Sequence, residues 1–123
     1  MRFSETPIYS SYYKKTFENE EVLSNVFNSI LKLKRYSEEN NIKFFVNFIP
    51  ELHNLRDYPF IYEHSIIKNF LLKNKIKFID GLNYLQNKEE KTLWVSVKDT
   101  HANEKAHKMI GEYLLRYLKK NIF

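Results

Sequence analysis

The sequence predicts an α/β fold, in which helices cover a parallel sheet as part of a three-layer αβα arrangement. Helical and extended segments alternate along the 123 residues, and such alternation is typical of β-α-β crossovers. The two clearest extended segments, 43–49 and 76–80, are nearly continuous apolar runs. Such runs are expected for parallel strands that are covered on both faces. A chain of this length forms one domain or part of one.

Three helices are predicted from apolar residues at helical spacing. The first covers about residues 20–40, with the stripe Leu23, Val26, Phe27, Ile30 and Leu33. The second begins near Pro59 or Phe60, because proline fits the first turn of a helix. Its stripe consists of Tyr62, Ile66, Ile67, Phe70 and Leu71. The last begins near Asn103 and has the clearest stripe, formed by Ala106, Met109, Ile110, Tyr113, Leu114, Tyr117 and Leu118.

The extended segments end at residues that stop a strand. KFFVNFI, residues 43–49, ends at Pro50, and IKFID, residues 76–80, ends at Gly81. Asp80 is expected to form a turn with that glycine. TLWVSV, residues 92–97, is a third extended segment.

The predicted sheet is thin for the helices that it must carry. Two strands and a short third leave apolar surface or strand edges uncovered. We therefore interpret residues 1–123 as a single incomplete domain, with 18–123 as its folded part. Residues 1–17 show no clean period and contain Pro7, so they are predicted to be a loop or a truncated lead-in.

Composition excludes several classes of protein and site. Apolar residues make up 43% of the chain, which argues against disorder. The chain has no cysteine, so disulfides, thiolate metal sites and a cysteine nucleophile are excluded. The net charge of +5 comes from lysines that are scattered among glutamates, so no nucleic-acid partner is expected. No apolar run resembles a signal peptide or a membrane span, and the compartment stays open.

Asp99 and His101 form the leading candidate site. They follow the third extended segment, and in open parallel sheets the reactive crevice lies at the carboxyl ends of the strands. Residues two apart in an extended loop can point to the same side, so the carboxylate can hold one imidazole nitrogen while the other faces a nucleophile. A structural interpretation stays open, in which Asp99 or Asn103 caps the last helix.

Other polar and aromatic residues have both structural and functional interpretations. Glu51 and His53 follow the first strand and lie either in a plain surface loop or at the substrate. A Glu-x-His pair lacks the third ligand that a metal needs, so neither a metal nor a cofactor is predicted. His107 is interpreted as a packing or capping residue. Trp94 and the Tyr58–Tyr62 cluster belong either to the core or to an acyl pocket.

The run DTHANEKAHKMI resembles the C-terminal block of the SGNH (GDSL-type) hydrolase family. That block has Asp-x-x-His or Asp-x-His, then Pro-Asn, then a small residue and a histidine at the helix start. The pattern is carried here by Asp99, His101, Asn103, Ala106 and His107. Ala102 replaces the usual proline. KFFVNFIPE is similar to the family's penultimate core strand and IKFIDGLNYL to its last, so the resemblance covers about residues 20–121.

The resemblance implies a flavodoxin-like scaffold whose N-terminal strands are missing from this chain. His101 would be the general base and Asp99 the residue that orients it, in ester hydrolysis through an acyl-serine intermediate without a cofactor. The family's Gly-Asp-Ser block and oxyanion donors have no counterpart in the sequence. The serines, among them Ser4, Ser10, Ser11 and Ser24, follow no predicted strand.

The resemblance thus implies the C-terminal part of a serine esterase or deacylase. Its partners would be the upstream half of the hydrolase domain and a small-molecule, carbohydrate or lipid ester. Two alternatives stay open: a catalytically inactive SGNH-like interaction module, and an O-acyltransferase on the same scaffold.

Overall fold

The computed structural model describes the backbone of residues 5–123 and the side chains of residues 10–123. Residues 5–123 contain five α-helices, four strands and the 3-10 helix Glu90–Leu93. The helices are α1 (Glu5–Glu18), α2 (Glu20–Glu39), α3 (Ile61–Lys73), α4 (Leu82–Leu85) and α5 (Glu104–Asn121). The strands are β1 (Phe45–Phe48), β2 (Lys77–Asp80), β3 (Trp94–Ser96) and β4 (Asp99–Ala102). The order along the chain is α1, α2, β1, α3, β2, α4, 3-10 helix, β3, β4 and α5.

The strands form two separate two-stranded sheets. β1 and β2 pair in parallel, which confirms a mixed α/β structure with a parallel pair. β3 pairs antiparallel with β4, with Trp94 opposite Ala102 and Ser96 opposite Asp99. The sequence had suggested a third parallel strand for the third extended segment, and that prediction is wrong. Val97 and Lys98 form a two-residue turn, and such a turn joins antiparallel neighbours only, because parallel strands need a longer crossover.

Helix α1 lies where a loop or truncated lead-in was predicted for residues 1–17. The loop alternative is wrong over residues 5–17, whereas the truncated lead-in stays a prediction. Residues 1–4 lie outside the described part of the chain. Pro7 is the third residue of α1, where a missing N–H costs no intrahelical hydrogen bond. Tyr12 on this helix is 69% exposed.

The described chain separates into two compact units. That residues 1–123 form a single incomplete domain stays a prediction. One unit contains Met1–Val46 and Pro59–Phe78. Within it, the ring of Phe27 on α2 stacks on Phe70 of α3, with centroids 3.9 Å apart. This contact agrees with the predicted places of Phe27 and Phe70. Val26 and Leu33 of the stripe predicted for α2 are instead 50% and 56% exposed.

The buried face of α3 differs from its predicted stripe. Tyr62 is 72% exposed, whereas Glu63 and His64 are buried. Phe60, His64 and Leu71 follow helical spacing from the start of the helix, and this series puts Tyr62 on the opposite side. The apolar residues alone therefore placed the buried face incorrectly at the first turn.

The second unit contains Asn47–Tyr58 and Ile79–Phe123, and it includes Asp99 and His101. Its buried apolar side chains are Leu52, Leu55, Tyr58, Ile79, Leu82, Leu85, Leu93, Trp94, Ala106 and Ile110. Helix α5 covers this core with its predicted stripe, and Tyr113 stacks on Tyr84 of the short helix α4.

Gly81 fixes the chain at the carboxyl end of β2. Its N–H donates to the Phe48 carbonyl over 2.9 Å, and a Cβ atom on Gly81 would lie 2.8 Å from Pro50 Cδ. Only glycine permits this approach without displacement of the neighbouring chain. Asp80 Oδ1 accepts a hydrogen bond from Leu82 N–H over 2.9 Å, which confirms the predicted turn.

No helix within residues 5–123 combines the length and the apolarity that a membrane crossing requires.

Candidate functional site

The β3–β4 hairpin positions Asp99 and His101. The Ser96 hydroxyl accepts hydrogen bonds from the N–H groups of Lys98 (3.2 Å) and Asp99 (3.1 Å), which fixes the turn. The sequence had suggested a loop for Asp99 and His101, but both residues lie on strand β4. Because side chains alternate along a strand, the two residues share one face and Thr100 lies on the other.

Asp99 and His101 are joined by two hydrogen bonds to one carboxylate oxygen. Asp99 Oδ1 lies 2.6 Å from His101 Nδ1 and 3.1 Å from the His101 backbone nitrogen. The side-chain hydrogen bond from His101, assisted by the backbone one, holds the pKa of Asp99 below its usual value. The His101 side chain is 90% exposed, so its Nε2 atom is open to an incoming group. This is the arrangement of an oriented general base.

Asn103 caps helix α5 and ties it to the hairpin and to the 3-10 helix that precedes the hairpin. Its Oδ1 atom accepts a hydrogen bond from Ala106 N–H, and its Nδ2 atom donates to the carbonyls of Thr92 and Trp94, each over 3.0 Å. Of the two residues proposed from the sequence as the cap of this helix, Asn103 is the cap. The Asp99 carboxylate binds His101 instead.

Glu51 and His53 form a similar pair, but each contact uses a different carboxylate oxygen. Glu51 Oε2 accepts the His53 backbone N–H over 2.9 Å, and Glu51 Oε1 pairs with His53 Nδ1. On the other side of the ring, Nε2 lies 3.3 Å from the Thr100 hydroxyl oxygen. Glu51 and His53 have the same spacing as Asp99 and His101, and this spacing was the sequence signal for a second pair. The sequence alone was also compatible with a plain surface loop.

The aromatic candidates of this unit belong to its core. Trp94 is buried, and its Nε1–H donates to the Leu52 carbonyl over 2.8 Å. The hydroxyl of Tyr58, also buried, accepts the Glu51 backbone N–H over 3.1 Å. Both rings hold the segment that carries Glu51 and His53.

His107 does not pack as the sequence had suggested. It lies in the first turns of α5 with an exposed side chain, and its backbone N–H donates to the Asn103 carbonyl. His107 therefore lies on the solvent-exposed side of α5. It matches the family pattern in its position only.

The serines considered as nucleophiles lie on helices. Ser10 and Ser11 belong to α1 and Ser24 to α2, whereas Ser4 lies outside the described residues. A position within a helix does not provide the strand-to-helix turn that exposes a serine nucleophile. In residues 5–123, no three His, Cys, Asp or Glu side chains converge as a metal site.

No family model, curated protein or solved structure matches this chain.

Proposed function

We propose that this chain supplies the general base and its orienting carboxylate for acyl transfer, as the C-terminal part of an SGNH-type serine esterase or deacylase. The observation that carries the proposal is the 2.6 Å contact between Asp99 Oδ1 and His101 Nδ1, with Nε2 exposed. The resemblance of DTHANEKAHKMI to the family's last block agrees with these roles.

The reaction requires a serine that the upstream half of the hydrolase domain supplies. Its hydroxyl attacks the ester carbonyl while His101 Nε2 takes the proton, and the protonated imidazole then gives it to the departing alcohol. Asp99 stabilises the imidazolium and keeps Nε2 directed outward. Water hydrolyses the acyl-serine with the same base, and in an O-acyltransferase an acceptor alcohol takes the place of water.

The local scaffold supports this assignment. The parallel pair β1–β2 and the close approach at Gly81 agree with the last two core strands of a flavodoxin-like sheet. We infer that the remaining strands and the oxyanion donors come from the same upstream half. The substrate class is a small-molecule, carbohydrate or lipid ester, and the chemistry uses no cofactor.

A catalytically inactive interaction module is the second candidate. Val95 and Val97, on and beside strand β3, are 58% and 61% exposed. Exposed apolar residues beside the edge of a two-stranded sheet favour pairing with another chain. This candidate predicts association without ester turnover.

Turnover of p-nitrophenyl acetate by the protein purified from its source, with any chain that copurifies, tests the proposal. His101→Ala should lower kcat by about 10²–10⁴-fold, the usual contribution of a general base. His107→Ala removes an exposed histidine of the same unit and should leave kcat unchanged. A parent protein without turnover, or a His101→Ala variant with the parental rate, would overturn the assignment. Absence of turnover in a parent protein that associates with another chain would favour the interaction module.

A further inference from the structure

A second histidine-carboxylate pair, Glu51 and His53, contacts strand β4 through Thr100, on the face opposite Asp99 and His101. Thr100 lies between these two residues, and its hydroxyl oxygen is 3.3 Å from His53 Nε2. His53 lies 47 residues earlier in the chain, so the fold and not local sequence brings the groups together.

His53 is held in a defined orientation. The Glu51 carboxylate binds both its backbone N–H and its Nδ1 atom, and the Tyr58 hydroxyl accepts the Glu51 backbone N–H. The ring of Trp94 lies 6.0 Å from the His53 ring and flanks it. The Glu51 side chain is 21% exposed and that of His53 41%, so the series is partly shielded but open to a small molecule.

The order of these groups is carboxylate, Nδ1, Nε2 and hydroxyl. With the proton on Nδ1 donated to Glu51, Nε2 is left to accept the proton of the Thr100 hydroxyl. A hydroxyl within reach of a base that a third group orients is the structural signature of an activated nucleophile, and the hydroxyl-to-base distance is often longer without substrate. We propose that Thr100 is an acyl-accepting nucleophile, with His53 as its general base and Glu51 as the positioning residue.

The proposed step uses only these groups and an activated acyl ester. Thr100 Oγ1 forms a bond to the carbonyl carbon while His53 Nε2 takes the hydroxyl proton. The bond between the carbonyl carbon and the alcohol oxygen then breaks, and the imidazolium gives its proton to the departing alcohol. The products are the free alcohol and an acyl ester of Thr100.

This site is independent of the serine chemistry proposed for His101. The two histidines belong to different acid-x-His pairs and are linked to opposite faces of β4. His53→Ala should therefore slow only the Thr100 reaction, and His101→Ala only the serine reaction. Failure of one proposal leaves the other to its own test.

Site-resolved mass spectrometry of the full chain after incubation with p-nitrophenyl acetate tests the proposal. We expect one acetyl group on Thr100 in the parent, in His101→Ala and in the control His107→Ala. Acetylation should slow by about 10²–10⁴-fold in His53→Ala, as for the loss of a general base. Thr100→Val, which keeps the shape and removes the hydroxyl, should block it.

Thr100→Ser and Glu51→Gln keep the proposal testable if the valine variant fails to fold. Thr100→Ser retains the hydroxyl with less crowding, so acetylation of position 100 should persist or accelerate. Glu51→Gln keeps a hydrogen-bond acceptor but removes the charge that stabilises the imidazolium, so the reaction should slow. Three results would overturn the proposal: no acetyl on Thr100 in the parent, acetylation at equal rates in parent and His53→Ala, or acetyl groups on lysines alone. Each would leave the Glu51–His53–Thr100 series as a structural link only.

Discussion

Asp99 Oδ1 accepts two hydrogen bonds from His101, one from the ring and one from the backbone. Both favour the ionised carboxylate and lower the pKa of Asp99 in the folded chain. The pair therefore stabilises the fold above the ordinary pKa of an unfolded aspartate. This contribution is lost as the pH falls through the lower pKa of the folded state.

His101→Ala should raise the pKa of Asp99 toward its ordinary value, because the variant loses the side-chain hydrogen bond and keeps only the backbone one. An NMR titration of the Asp99 carboxyl carbon measures the change. His107→Ala, which leaves both hydrogen bonds in place, should give the parental pKa. An Asp99 pKa that is the same in His101→Ala and in the parent would show that the two side chains do not interact in solution.

The two glycines of the chain should respond to alanine in opposite directions. At Gly81 the added Cβ would lie 2.8 Å from Pro50 Cδ and 3.0 Å from the Phe48 carbonyl oxygen, so we expect a loss of about 1–3 kcal/mol from overpacking. At Gly111, within α5, the Cβ would meet no atom within 4 Å, and we expect a gain of about 0.5–1 kcal/mol. Urea unfolding of both variants gives the free energies. Equal effects would contradict the close approach at the end of β2.

Asn103 should contribute more to stability than Asn19, although both cap a helix. Asn19 makes one capping bond, to Val22 N–H, and its replacement by alanine should cost about 0.5–2 kcal/mol. Asn103 also donates to Thr92 and Trp94, so Asn103→Ala should cost about 1–3 kcal/mol more.

Asn103→Ser separates these contributions, because its hydroxyl oxygen can cap the helix while the amide that donates to Thr92 and Trp94 is absent. Its loss of stability in the same urea experiment should fall between those of Asn19→Ala and Asn103→Ala. If Asn103→Ala costs no more than Asn19→Ala, the bonds from Asn103 to Thr92 and Trp94 do not stabilise the protein.

Much of the fold was predictable from the period of the apolar residues. Helices α2, α3 and α5 follow such stripes, and β2 follows an apolar run that ends at glycine. The antiparallel hairpin was not predictable in the same way. Strand β4 reads DTHA, which has no apolar alternation, and its turn Val97–Lys98 lacks the Asn-Gly type signal of a two-residue turn.

The candidate site was predictable only where its partners are close in sequence. Asp99 and His101 are two residues apart, so their contact could be anticipated and is confirmed, while their catalytic role stays a prediction. The contact between His53 and Thr100 depends on how Asn47–Tyr58 packs within its unit. No local pattern indicates such packing, since it is determined by tertiary contacts such as Trp94 with Leu52.

Covalent trapping with a fluorophosphonate tests the central proposal, that His101 activates a serine, most directly. The reagent is applied to the protein from its source, with any copurifying chain, and the labelled residue is located by mass spectrometry. We predict one labelled serine in the parent and in His107→Ala, and loss of that label in His101→Ala, because the unassisted hydroxyl is a weak nucleophile. A parent without a labelled serine, or equal labelling in His101→Ala, would contradict the proposal.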